Sequence, residues 1–494
     1  MALALLALAG LALWLISPRS GSASAATGVR CVPSHLNVSS SLAGGLVTVS
    51  PEPESRDAAA KTQISFLGVA ASQLSSISVH GARSGAHGGH LRAYSQGDGA
   101  SFVLSHALDY GEQVTVHASV ANGASTVPFS WSFTTASRDD GGVAGGTPQP
   151  RPQSSDYQHF LTRTDLRPPL VAVTAHSPAA SSEDLFVAPY SGPGQYGPMI
   201  LDSSGRLVWF KALPHNTRAA DFQVQEYEGK PVLTWWQNPL ITGSEKRAGI
   251  VIANSAYETI ATIRAGNGYQ ADLHEFLIRP NGTALLTVYN AIDCDLSSVG
   301  ARSDAAIADT LFEELDLKTG LVRYEWHSLD HVPLSNAYTS ARYASERTPY
   351  DYFHINSVEL QSSGDYLVDS RDTWAAYDVS ARTGQVQWEL GGKHSSFKEP
   401  ADAKTAYQHD ARRQPDGTIT FFDNGATPTV HDQSRAVALR LDEQARTATV
   451  VRDFRHPKPL VSGSQGNVQP LANGNWVVGW GEDPWFSEFS PTGE

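Results

Sequence analysis

Apolar and polar residues alternate over short stretches along most of this chain, and turn residues separate the stretches. Between residues 31 and 136 the segments GLVTVS, TQISFLGVA, LSSISVHG, SFVLSHAL, QVTVHASV and TVPFSWSFTT succeed one another. Alternation with period two is the mark of half-buried strands, because successive side chains leave a strand on opposite faces. About a hundred residues built this way predict a small β-sandwich of immunoglobulin-like type. Residues 137–156, SRDDGGVAGGTPQPRPQSSD, hold almost nothing to bury and read as a linker.

From 157 to 494 the pattern repeats weakly in two alternating phases. The first is strand, Gly turn, strand, as in RPNGTALLTVY, QSSGDYLVDS, QPDGTITFFD and LANGNWVVGW, with EYEGKPVLTWW a looser member. The second is a strand, a polar turn with Gly, then a strand bearing Trp: LDSSGRLVWF, LDLKTGLVRYEW and YDVSARTGQVQWEL. The first-phase glycines are Gly229, Gly282, Gly364, Gly417 and Gly474, at intervals of 53, 82, 53 and 57 residues. Two hairpins per period of about 55 residues make a four-stranded sheet, the repeat unit of a β-propeller. The region accommodates about six such units, so the predicted fold is all-β: a six-bladed propeller after a small sandwich, with seven blades the near alternative. The long interval implies insertions around 290–310 and 328–350. The repeat stops mid-hairpin at Ser490-Pro491-Thr492-Gly493-Glu494. Either a closing strand is therefore expected from the front of the domain, near LVAVTAH or LFVAPY, or the sequence is cut short.

Composition refines this picture. The 494 residues carry a formal charge of −14, with 41% hydrophobic and 17% charged types. That apolar share excludes a disordered chain, and an acidic balance without a basic run argues against nucleic acid and anionic membranes as partners. The apolar run at 2–16 is short for a membrane span and fits a signal peptide, with Ala23-Ser24-Ala25 as a cleavage site. Residues 1–26 are expected to be a signal peptide or short anchor on a secreted or cell-surface protein. The two cysteines, Cys31 and Cys294, fit equally a long-range disulfide or two free thiols.

The chemistry lies in histidines at one phase of the repeat. His274 and His409 each stand eight residues before a first-phase glycine, and His354 stands ten before. Equivalent positions of different blades are related by rotation about a central axis, so the three should converge at the channel mouth. His215, His327, His331, His394, His431 and His456 fall out of phase and are expected to be structural or exposed. Three imidazoles suit a catalytic metal. They equally suit an oxyanion, and Arg371 and Asn356, on the strands around His354, favour the anion. Trp235, Trp236, Trp374 and Trp480 fit core packing better than stacking on a ligand.

The stretches FHINSVELQSSGDYLVDSRDTWAAYDVSARTGQVQWELGG and YQHDARRQPDGTITFFDNG resemble the bacterial arylsulfotransferase family of secreted or periplasmic six-bladed propellers. The resemblance covers 157–494. It implies transfer of a sulfuryl group from an aryl sulfate to a phenolic acceptor, with no nucleotide donor and no cofactor. Position by position it implies His409 as the residue that becomes sulfohistidine. His274, His354 and Arg371 are implied as holders of the sulfate oxygens, with the Asn356 amide beside them. The absence of a phosphate-cradling G-x-x-x-x-G-K-[ST] loop agrees with a simple aryl sulfate donor. A metal-dependent propeller enzyme using the same histidines, and a non-catalytic scaffold propeller, are the alternatives. Oligomeric state, donor and acceptor identity are not specified by the sequence.

Overall fold

The computed structural model describes residues 28–138, 156–189, 191–242 and 245–494. The expected signal peptide or anchor, and nearly all of the expected linker, lie outside the described residues. The expectation of an all-β chain holds: strands dominate, and helices are confined to single turns such as Ser328–His331.

Residues 41–134 form two sheets, one of five strands and one of four. Their apolar faces meet in one core containing Val47, Val49, Ile64 and Phe66 from the first sheet and Val79, Val114, Val116 and Phe133 from the second. Buried and exposed residues alternate along Gln113–Asn122 as the sequence pattern required.

Six sheets then follow in chain order, each an antiparallel meander, the third carrying in addition the two-residue strand Tyr350–Asp351 paired in parallel. The first has three strands within Leu185–Phe210, and the second has four within Arg218–Ile263. The third begins with Ala271–Ile278, the fourth with Ile355–Leu360, the fifth with His409–Arg413 and the last, of three strands, with Asn467–Pro470. The leading strands of successive sheets from the second to the fifth touch one another, and that of the fifth touches that of the last. The turn glycines are conformational devices: Gly364 and Gly417 sit at φ 94° and 82°, with open space where a Cβ would stand.

The segment LFVAPY does not extend the last sheet. Its strand Leu185–Val187 pairs instead with Met199–Leu201 of the first sheet. What reaches the last sheet is the stretch before it: Ser181 N–H donates to Glu488 Oε1 (2.7 Å), and Asn475 Nδ2 donates to the Ala179 carbonyl (2.9 Å). The long repeat interval contains two twelve-residue strands, Thr283–Cys294 and Ala305–Asp316, paired along their whole length. It also contains the irregular stretch 328–350.

The sandwich is fastened to the third sheet. Ser65 Oγ and Tyr94 Oη both donate to the Val322 carbonyl, at 2.9 Å each. Arg323 bonds Asp98 and Glu314. Cys31 and Cys294 are joined by a disulfide across a separation of 263 residues, and both are buried. Cross-linking so long a loop removes much unfolded-chain entropy. Replacing both cysteines by serine should therefore cost about 2–4 kcal/mol in denaturant-unfolding free energy. An unchanged unfolding midpoint would mean that the packed interface holds the two parts together unaided.

Candidate active site

The leading strand of a sheet must bend at its start if its side chains are to face the centre. In four sheets that strand carries a register irregularity at the histidine phase, between Ala220 and Gln223, Ala271 and Phe276, Ile355 and Ser357, and His409 and Arg412. Such bulges redirect a side chain that regular pleating would aim along the sheet face. At this phase the second sheet presents Asp221, whose part-buried carboxylate accepts the Phe276 N–H at 2.9 Å. The next three present His274, His354 and His409.

The three imidazoles come together. Ring centroids lie 5.2 Å apart for His274 and His354, and 6.2 Å for each with His409. One nitrogen from each lies within 4.8 Å of the others. They line a cavity of about 490 Å³ with Arg371, Asp351, Asp372, Ser464 and Gln465. The irregular stretch supplies the remaining wall through Thr339, Ser340, Tyr343, Pro349 and Tyr350. The insertion inferred from the uneven repeat is therefore part of the cavity.

Each imidazole is held differently. His274 Nδ1 donates to Asp272 Oδ2 (2.5 Å), and its ring stacks on Tyr289. His354 Nδ1 donates to Asp351 Oδ2. Both rings thus keep Nδ1 occupied and leave Nε2 for the cavity. Burial alone would lower the pKa of His354, but the Asp351 carboxylate outweighs it and raises the pKa above the usual value. Burial would raise the pKa of Asp272, yet its pairing with His274 brings it below the ordinary carboxylate range.

His409 has no carboxylate. Its Nδ1 lies 2.8 Å from Asn424 Oδ1 and 3.1 Å from the Tyr407 carbonyl, both acceptors, so the proton sits on Nδ1. The orientation of Asn424 is fixed, because its Nδ2 donates to the carbonyls of Ser462 (3.0 Å) and Gln465 (2.9 Å). His409 Nε2 accepts the Gln465 backbone N–H at 3.2 Å. Burial, then His274, His354 and Arg371, hold its pKa well below the ordinary value. At neutral pH His409 is therefore a neutral imidazole whose Nε2 lone pair is taken by the Gln465 N–H.

Arg371 supplies the fixed cation. It donates to Asp372 (2.6 Å) and to the Gly463 carbonyl (3.3 Å) and lies over the Tyr407 ring, while its buried Nε has no partner. Burial, and then Asp351, push the Asp372 carboxyl up to about 6. Asn356 is elsewhere: its amide donates to the Gln408 carbonyl (3.0 Å) and accepts the Asp410 N–H (3.1 Å), bracing the His409 strand against the His354 strand. Trp235, Trp236 and Trp480 are core residues, and Trp374 stacks on Tyr338 outside the cavity lining. Sequence reasoning missed Asp272, Asp351, Asn424 and Gln465. Asp272 and Asp351 stand two and three residues before their histidines, a visible signal, but one shared by many surface acids. His327 and His331, expected to be structural or exposed, are buried against the sandwich.

The family model of the arylsulfotransferases (ASST) matches residues 223–494, more than half of the chain and all three histidines. The chain belongs to the arylsulfotransferase family. No curated protein matches it. Among solved structures, a Bacteroides caccae protein of unknown function is 15% identical, with a TM-score of 0.38 over 63% of this chain and 92% of that one. An inactive Staphylococcus aureus virginiamycin B lyase, solved with quinupristin, is 10% identical, with a TM-score of 0.32 over 63% of this chain and 88% of that one. Likenesses this weak say nothing of what this arylsulfotransferase family member does.

The hydrogen bonds make a prediction independent of catalysis. In nitrogen-edited NMR spectra at neutral pH, His409 should appear as the neutral Nδ1–H tautomer. Asn424→Leu, which removes the acceptor, should shift it toward the Nε2–H form; an unchanged tautomer would mean that Asn424 does not set it.

Proposed function

We propose that this protein transfers a sulfuryl group from an aryl sulfate ester to a phenolic acceptor through a sulfohistidine on His409. The observation that carries the reading is the neutral, Nδ1-protonated His409 facing two imidazoles and an arginine whose Nε is free. In-line sulfuryl transfer spreads negative charge over the equatorial oxygens, as phosphoryl transfer does, so cations and N–H donors lower the barrier. Arg371 and the Gln465 N–H, which reaches His409 Nε2, supply donors to the cavity.

In the first half-reaction the Gln465 N–H turns from His409 Nε2 to a sulfate oxygen, and the freed Nε2 lone pair attacks sulfur while the ester S–O bond breaks. The leaving phenolate takes a proton from His354, whose pKa the Asp351 carboxylate raises above the usual value. In the second, His354 accepts the proton of an incoming phenol. Its oxygen attacks the same sulfur, and the N–S bond breaks to restore neutral His409. The donor and acceptor half-reactions use one cavity in turn, giving ping-pong kinetics.

In the same reading the six sheets are the blades of a six-bladed propeller, and residues 31–136 are an immunoglobulin-like module joined through 137–156. Extracytoplasmic location is supported by the Cys31–Cys294 disulfide, since such bonds persist in oxidising compartments. A zinc- or iron-type enzyme is the second reading, favoured by three imidazole nitrogens within 4.8 Å. Metal analysis of the purified protein separates the two, because stoichiometric metal lost in His409→Ala would favour the second. A purely non-catalytic scaffold is disfavoured because all three histidines reach one small ligand.

Incubation with p-nitrophenyl sulfate and a phenol should release nitrophenol and form the new aryl sulfate. His409→Ala should abolish turnover, by about 10⁴-fold or more, and Arg371→Ala should cost about 10²–10³-fold. Full activity in His409→Ala would sink the proposal. The pH profile follows from the groups around each ring. Neutral His409, facing His274, His354 and Arg371, keeps kcat/KM from falling until the pH is well below 6.5. The rate should fall on the alkaline side as His354, facing Asp351, Asp372 and Arg371, loses its proton. In Asp351→Asn the alkaline limb should move to lower pH.

A further inference from the structure

A second cluster of ionisable groups lies far from solvent, where the sandwich meets the third sheet. Asp57 comes from the sandwich side, Asp309 from the strand Ala305–Asp316, His327 from the end of Leu321–His327, and Asp330 from the helical turn Ser328–His331. Asp57 and Asp309 are fully buried, and His327 and Asp330 are 4% and 5% exposed. His327 Nδ1 stands 2.7 Å from Asp309 Oδ2 and 3.6 Å from Asp57 Oδ1. One donor atom from each of these three residues lies within 4.8 Å of the others.

This cluster has more negative groups than its surroundings satisfy. Asp57 Oδ1 accepts the Ser55 hydroxyl at 2.6 Å, but Asp57 Oδ2, Asp309 Oδ1 and both oxygens of Asp330 are buried without a hydrogen-bond partner. Glu325 adds a further unpartnered oxygen, 3.9 Å from His327 Nε2. Among the described residues, the only ion-pair partner of Asp57, Asp309 and Glu325 is His327, and no arginine or lysine pairs with Asp330. Asp330 lies within electrostatic reach of Asp57, Glu52 and Asp309. Unpaired buried carboxylates are costly, and proteins ordinarily compensate them with cations or protons.

We propose that Asp57, Asp309 and His327 form a structural site for a first-row divalent cation that clamps the sandwich to the third sheet. Carboxylate oxygens suit hard cations and an imidazole suits borderline ones, so this mixed set points to manganese or zinc rather than calcium. Binding places the cation between two parts of the chain that meet only in the folded state, so its binding free energy adds to folding. This site is separate from the three-histidine cavity and does not depend on the sulfuryl-transfer reading.

The test uses the full chain, dialysed against EDTA and then titrated with Mn²⁺ by calorimetry, with thermal unfolding followed in parallel. A His274→Ala/His354→Ala background removes the other candidate ligands. The expected result is saturable uptake at one site with a rise in Tm, retained in that background and weakened at least about 100-fold in Asp309→Asn. Should Asp309→Asn fail to fold, Asp57→Asn leaves the other two donors in place and should weaken uptake by about tenfold or more. Absence of uptake and of any Tm rise in the stripped protein overturns the proposal. So does uptake lost with His274 and His354 but unaffected by Asp309→Asn or Asp57→Asn.

Discussion

Three imidazoles sharing one small, poorly solvated cavity cannot all be charged, and the active-site arrangement follows from which of them carries the proton. Like charges a few ångströms apart in a medium of low effective dielectric repel strongly. A neutral hydrogen-bond acceptor in place of a carboxylate is enough to decide the outcome. Asp351 behind His354 draws a proton to that ring, and Asp272 brings a counter-charge to His274. Asn424 behind His409 offers a bond but no charge. The asymmetry between aspartate and asparagine gives three similar residues pKa values pushed in different directions.

Holding that asymmetry requires the second layer to be rigid. Asn424 is oriented by the Ser462 and Gln465 carbonyls, so the irregular stretch leading into the last sheet helps fix the tautomer of a histidine in the fifth. Asn356 ties the fifth sheet's leading strand to the fourth's through two backbone bonds. The amide beside the histidines thus acts across sheets, aligning the strands on which His354 and His409 stand. A side chain can belong to the site's construction without reaching into its cavity.

Much of this was legible in the chain because repeats convert sequence phase into spatial position. Three histidines before equivalent glycine turns converge because equivalent strands lead their sheets. Arg371 was visible for the same reason. What escaped were residues whose role depends on a partner in another sheet: Asn424 sits in an ordinary strand-ending F-F-D-N-G, and Gln465 contributes only its backbone. The buried Asp57–Asp309–His327 group escaped because its members lie 252 and 18 residues apart and share no phase. Local pattern reports the face of a strand, whereas burial against another part of the chain is a tertiary fact.

The acidic charge of the chain also has a different meaning once its acids are located. Several of the carboxylates that set the balance are buried, at the cavity or at the junction with the sandwich, where they act on single imidazoles rather than on the solvent-facing field. The two places are mechanically joined. The strand Ala305–Asp316 presents Asp309 to the junction, and it pairs in parallel through Ile307 and Ala308 with Tyr350 and Asp351. Asp351 is the carboxylate that raises the pKa of His354. The strand that meets the sandwich through Asp309 is thus also the strand against which that acid is held.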